Sequence, residues 1–149
     1  MGSSMRTKRH LKSTGWLWLA CACALAAGCS DGLPTRVPVG GTVFVDGAPL
    51  THGSIMFVGE AGRPAGGSID SEGHFSLTCY KPGDGAMPGH YRVKITAVES
   101  IDDRSNRWLA PKKYSDEKTS GIEVDVTEPV DDLKIELTWD GGKPFVERW

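Results

Sequence analysis

The chain lacks a helical period, a long apolar run, a basic face and a cysteine framework, and each absence removes a class of protein. No stretch repeats apolar residues at three- and four-residue spacing over several turns, so a helical bundle is excluded. The most apolar run, Trp16 to Gly28, falls short of the about 20 residues that a membrane-spanning helix needs. Of four cysteines, Cys21, Cys23 and Cys29 precede residue 30 and only Cys79 follows, which rules out a disulfide scaffold. Cys79 reads as a small buried apolar residue in a strand from Phe75 to Tyr80. The net charge of −2 hides an asymmetry, because Arg6, Lys8, Arg9 and Lys12 all lie near the N-terminus. Taking those 4 from 17 basic residues leaves 13 against 19 acidic ones, a net of −6. A domain of that sign has no face for phosphate, so no nucleic-acid partner is expected.

Catalytic signatures are missing too. There is no Gly-x-Ser-x-Gly elbow, no cysteine beside a histidine, and no His-x-x-x-His pair for a metal. His52, His74 and His90 each stand in or beside a turn, too far apart in sequence to form a ligand motif. Asp102-Asp103 and Asp131-Asp132 lack the alternating oxygens and closing Glu of a calcium loop and read as solvated turns. The expectation is a protein with no metal and no cofactor that is not an enzyme.

What is present begins with an organised N-terminus. Residues 1–12 are basic and polar, Trp16 to Gly28 are apolar, and small residues precede Cys29, the three parts of a secretory signal. Leu25-Ala26-Ala27-Gly28-Cys29 resembles the lipobox of bacterial lipoproteins, with Ala26 where Leu is commonest. Small side chains there let a peptidase reach the backbone, and the thiol accepts a diacylglyceryl group. The resemblance implies that residues 1–28 are cleaved as a signal peptide and that Cys29 carries two or three acyl chains. Two chains hold a protein at a membrane, at about 0.8 kcal/mol per buried methylene, where one does so only marginally. Ser30 resembles the residue that directs such proteins to the outer membrane. The expected location is therefore the cell envelope, at the outer membrane or the periplasmic face of a membrane. Residues 29–38, with Pro34 and Pro38 and no periodicity, read as a lipid-anchored tether.

Removing 28 of 149 residues leaves 121, enough for one domain, and residues 39–149 show the period of two that marks strands. Tyr91, Val93, Ile95 and Ala97 alternate with Arg92, Lys94 and Thr96. Ile122, Val124 and Val126 repeat the pattern, as do Leu133, Ile135 and Leu137. Earlier strands are expected at Gly41 to Val45, Ser54 to Val58, Gly66 to Ile69 and His74 to Thr78. Asp46-Gly47 and Ser71-Glu72-Gly73 supply turns that tolerate positive φ. Seven short strands without a helix predict an all-β, seven-stranded sandwich. Residues 99–120 show no strand pattern and read as one long loop. Trp139-Asp140-Gly141-Gly142 reads as a tight turn with Trp139 on the sandwich edge, and Lys143 to Trp149 as a tail either folded back or free.

Val39-Gly-Gly-Thr-Val-Phe-Val-Asp-Gly-Ala-Pro-Leu50, Gly53-Ser-Ile-Met-Phe57, Gly67-Ser-Ile-Asp-Ser-Glu-Gly-His-Phe75 and Pro88-Gly-His-Tyr-Arg-Val93 together resemble a carboxypeptidase regulatory-like domain. The resemblance spans residues 39–138 and implies a transthyretin-like, Greek-key sandwich. It implies no peptidase activity, because in carboxypeptidases this module is an accessory to a separate zinc domain. One transthyretin-like subfamily hydrolyses 5-hydroxyisourate through His and Arg residues and a Tyr-Arg-Gly-Ser ending, whereas this chain ends Phe145-Val-Glu-Arg-Trp149.

The expected function is a membrane-anchored envelope lipoprotein whose sandwich is a non-catalytic binding or structural module. Its partners are the membrane, through lipid on Cys29, and an envelope protein or polysaccharide. The alternative is a transthyretin-like hydrolase or small-molecule carrier in the periplasm. The candidate binding loop comprises Trp108, Lys112, Lys113 and Tyr114, aromatics set beside cations as at interfaces and carbohydrate sites. The competing structural role has Trp108 and Tyr114 pin the loop over the sandwich, with both lysines in water.

Overall fold

The computed structural model describes residues 32–149, and the folded unit runs from Pro34 to Trp149. The expected signal peptide over residues 1–28 and the expected lipid site at Cys29 lie outside the described residues.

Alternation becomes architecture in two main sheets. In the first, β3 (Gly53–Gly59) pairs antiparallel with β4 (Ala65–Ile69) on one side and β6 (Gly89–Thr96) on the other, and β6 pairs with β9 (Glu123–Val126). The register sets Val93 opposite Phe57 and Ile95 opposite Ile55, so the apolar members of both strands share a face. Arg92 and Lys94 stand on the other face opposite Val58 and Met56, as a half-solvated antiparallel sheet requires. In the second sheet β1 (Val39–Val45) is central. It runs parallel to β10 (Val130–Leu137), and its other edge is shared by β2 (Ala48–Pro49) and β5 (His74–Ser76). Asp46 and Gly47 turn β1 into β2 with φ of 47° and 83°, the primed hairpin geometry anticipated for Asp-Gly.

Between the two sheets lies one apolar core. Val43, Phe75, Ile135 and Leu137 come from the second sheet and Ile55, Phe57, Tyr91, Val93 and Ile95 from the first, all buried. Phe57 is its centre, with ring centroids 6.5 Å from Phe75 across the gap and 5.7 Å from Tyr91 beside it, both within aromatic contact range. Tyr91 places its hydroxyl to donate to Met87 O at 2.7 Å, which satisfies the one polar atom the ring brings inside.

Two expectations are corrected, the single loop and the seven strands. Residues 99–120 are not one loop: β7 (Val98–Asp102) and β8 (Ser105–Trp108) form a hairpin, and a 3-10 turn follows at Lys112–Ser115. The tail folds back as β11 (Phe145–Arg148), antiparallel to β8, giving a third sheet in the order β11-β8-β7. With β2 this raises the seven expected strands to eleven among the described residues. The folded unit begins before Val39. Val37 and Ala86 exchange backbone hydrogen bonds at 2.9 and 3.0 Å, and Arg36 lies 2.7 Å from the Asp84 carboxylate. Asp84 in turn accepts from the amides of Cys79, Lys81 and Tyr80, and the guanidinium groups of Arg36 and Arg63 lie 5.4 and 5.2 Å from the centroid of the Tyr80 ring. A segment without periodicity is held here by contacts that alternation does not report, among them the Val37–Ala86 bridge, the Arg36–Asp84 ion pair and the Val130 amide on Pro38 O.

Only Ala97 separates β6 from β7, so the third sheet leaves the sandwich as an arm from the far end of β6. Val37 attaches at the near end, where Ala86 lies three residues before β6 begins. Chain entry and arm are therefore at opposite ends.

Candidate functional site

The four residues expected to form a binding loop do come together, at the base of the arm. Pro111 fixes φ at −55° just before the 3-10 turn, and the Tyr114 amide donates to Pro111 O at 3.1 Å to close it. Tyr114 is buried, and its hydroxyl accepts from the Thr138 amide at 3.2 Å, which ties the turn to the end of β10. Trp108 ends β8, also buried. Lys112 and Lys113 are exposed on the turn's outer side.

The partners of these residues come from the C-terminal strand and the turn before it. Glu147 accepts from Trp108 Nε1 at 2.8 Å through one carboxylate oxygen and from Lys112 Nζ at 2.7 Å through the other. Lys112 Nζ also stands 5.4 Å from the centroid of the Trp108 ring, within cation–π range. Lys113 Nζ donates to Asp140 at 2.6 Å and lies 4.9 Å from the Tyr114 centroid. Phe145 stacks on Trp108 at 6.3 Å with 15° between planes, and Trp139 meets Phe145 edge-on at 6.4 Å. The Lys112 ammonium, then the Trp108 indole N–H, hold the Glu147 carboxyl below the usual carboxylate value. Asp140 holds the Lys113 ammonium above its own.

Sequence reasoning missed Phe145, Glu147 and Asp140. The available signal was the alternation Phe145-Val146-Glu147, an aromatic and an acid on one face of a short strand, weakened by being four residues long.

No protein family matches the chain, and no curated protein or solved structure is detectably similar to it.

The other candidates do not converge. His90 shares its Nδ1 with Asp125 at 2.7 Å and has Glu123 3.8 Å from Nε2, and the hydrogen bond to Asp125 raises its pKa. His52 and His74 are exposed elsewhere, and no three His, Cys, Asp or Glu among the described residues are grouped for a metal. Asp102 accepts from Ser105 and from the Arg104 amide at the arm's tip, and Asp131 and Asp132 are exposed at the start of β10. An open hollow of about 500 Å³ at the tip is lined by Asp102, Asp103, Arg104, Ser105, Arg148 and Trp149, with charges of both signs. Cys79 is buried 3.8 Å from Arg63 O, and burial pushes its thiol pKa up, away from a reactive thiolate.

Chemically, the assembled groups hold an extended strand, the chain's own β11: β8, paired with β7 on its other side, supplies backbone pairing, Trp108 a stacking surface, and the Trp108 N–H with Lys112 two donors converging on the Glu147 carboxylate.

Proposed function

We propose that the chain is a lipid-anchored envelope protein, attached through Cys29 after loss of residues 1–28, whose sandwich is a non-catalytic binding module. The observation that carries this reading is the polarity of the fold. The folded unit begins at Pro34, five residues after Cys29, and enters the sandwich at the end opposite the arm. At up to about 3.6 Å per residue those five positions reach no more than about 18 Å, so an acylated Cys29 holds the sandwich close to the membrane surface. The arm is then at the end of the domain opposite the attachment point. The fold is read as a transthyretin-like Greek key of the carboxypeptidase regulatory-like kind. In support, β3 and β4 are a hairpin, the residues after β5 bridge to β4 through Gly66 and Thr78, and β6 returns to lie beside β3. No helix among the described residues is long and apolar enough to cross a membrane, so the attachment in this reading rests on the lipid.

The test is intact mass and membrane partitioning of the protein made in a lipoprotein-processing host, beside Cys29→Ser. Loss of residues 1–28, a gain of acyl mass and membrane retention in the wild type alone are expected. Soluble, unacylated protein in both cases overturns the anchor and moves the domain to a diffusible role.

A further inference from the structure

We infer that the edge of β8 with Trp108 and Lys112 is a docking groove for an extended segment of a partner protein, one carrying an aromatic residue and a carboxylate two positions later, and that β11 is its built-in competitor. The inference deepens the binding reading above and rests on it only for the direction the groove faces. What fits the groove is visible, because the chain's own tail occupies it. Phe145 stands opposite Trp108 in the ladder and stacks on it, while Glu147, two residues on and on the same face, takes both donors. A strand adding to a sheet edge gains affinity from its backbone and selectivity from alternate side chains, which is this arrangement.

The tail is held as a ligand is held, not as a core strand. Phe145, Val146 and Trp149 are 41%, 44% and 67% exposed, and no residue of β11 belongs to the apolar core. A turn closed by the Gly142 amide on Trp139 O, with Asp140 and Gly141 at positive φ, connects β11 to β10 without pairing the two strands. An element with few buried apolar contacts and solvent-exposed backbone bonds opens well below the cost of global unfolding. A tethered tail competes at an effective concentration in the millimolar range, so a partner segment must exceed that or bind more tightly.

The probe is a labelled peptide of residues 143–149, Lys-Pro-Phe-Val-Glu-Arg-Trp, titrated by fluorescence anisotropy into the mature chain. One sample is wild type. The other carries Phe145→Ala with Glu147→Ala, exposed or half-buried positions whose loss releases the tail and leaves the core intact, as circular dichroism verifies. Saturable binding to the tail variant is expected, at least about tenfold weaker to the wild type, because its own tail competes. A peptide with Glu replaced by Gln is expected to bind about tenfold more weakly, having lost its charge-assisted bonds. Failure of the tail variant to bind, equal binding by the wild type, or indifference to the Gln peptide overturns the proposal. Hydrogen exchange on the wild type is an independent check. The amides of β8 and β11 are expected to exchange well before those of β3 and β6, and equal protection overturns the competitor role. Arg107→Cys and Val146→Cys, opposite each other in the ladder, separate the remaining occupant. A disulfide between two chains each carrying one of them assigns the groove to a second copy and overturns the partner-protein assignment. None of these three experiments depends on acylation of Cys29, so this reading and the lipid anchor fail separately.

Discussion

Gly47 and Gly85 share a φ of 83° in different surroundings, and the difference measures how firmly the N-terminal segment is docked. An alanine Cβ at Gly47 meets nothing within 4 Å, so Gly47→Ala carries only the cost of a left-handed conformation, about 1 kcal/mol net of the entropy gained by stiffening the unfolded chain. A Cβ at Gly85 would lie 1.8 Å from Val37 O and 2.7 Å from Pro38 Cα, both backbone. Nothing flexible can yield there. Relief requires Val37 to leave Ala86, which forfeits the two backbone hydrogen bonds of that bridge at about 1 kcal/mol each and loosens Arg36 from Asp84. Gly85→Ala should therefore cost about 3 kcal/mol.

Urea unfolding followed by tryptophan fluorescence resolves the two cases. With a slope of about 1.5 kcal/mol per molar, the midpoint should fall by about 0.7 M for Gly47→Ala and about 2 M for Gly85→Ala. Trypsin gives a second reading, since Arg36 is docked in the native fold and should become a cleavage site in Gly85→Ala alone. Equal midpoint shifts with Arg36 protected in both variants would refute the claim that the fold begins before Val39.

Two further outcomes are expected. Phe57→Ala removes a fully buried ring from between Phe75 and Tyr91 and should cost about 3–5 kcal/mol in the same assay, and a loss under about 1 kcal/mol would mean that the two sheets do not meet at Phe57. Glu147 has a pKa below its ordinary 4.5, so its contribution to tail docking is complete above that value and disappears as pH falls through the lower, native one. Nuclear magnetic resonance of the Trp108 indole N–H should show the tail releasing on that acid limb, and Glu147→Gln should abolish the limb; an unchanged profile in Glu147→Gln would remove the carboxylate from the latch.

The sandwich was legible because its strands have one dry face. Tyr91, Val93, Ile95 and Ala97 are all buried while Arg92 is exposed and Lys94 and Thr96 are half-buried, and the turn at Asp46-Gly47 adopts the φ values its residues favour. The arm offers no such contrast. In β7, Val98 is half-buried and the residues from Glu99 to Asp102 are exposed, and β11 has Phe145, Val146 and Arg148 exposed. A strand wet on both faces has no period of two to read, and its position is fixed by pairing partners remote in sequence. The short strand β2 was hidden differently, its two residues being too few for any pattern. The candidate site was half legible for the same reason. Trp108 and Tyr114 stood out as large residues in a polar stretch, but the groups that organise them sit 39 residues from Trp108, at Glu147, and 27 residues from Lys113, at Asp140.

The property that concealed the arm also bears on its use. Apart from Ser105 and Trp108 of β8 the arm buries no residue, so it gains little from hydrophobic burial and its order depends on strand pairing, on Phe145 against Trp108 and Trp139, and on the ion pairs of Glu147 with Lys112 and Glu99 with Arg107. Exposed ion pairs of this kind contribute at most about 1 kcal/mol each, and less in salt. The arm is therefore expected to open before the sandwich under mild perturbation. The near end, where Arg36 and Val37 are gripped by Asp84 and Ala86, is suited to transmit a fixed attachment. The far end is held by contacts that a competing strand can reproduce one for one. Under the proposed anchor and docking groove, a domain fixed at one end and exchangeable at the other would have the mechanical layout of a capture module, its free end sampling partners while the anchored end stays folded.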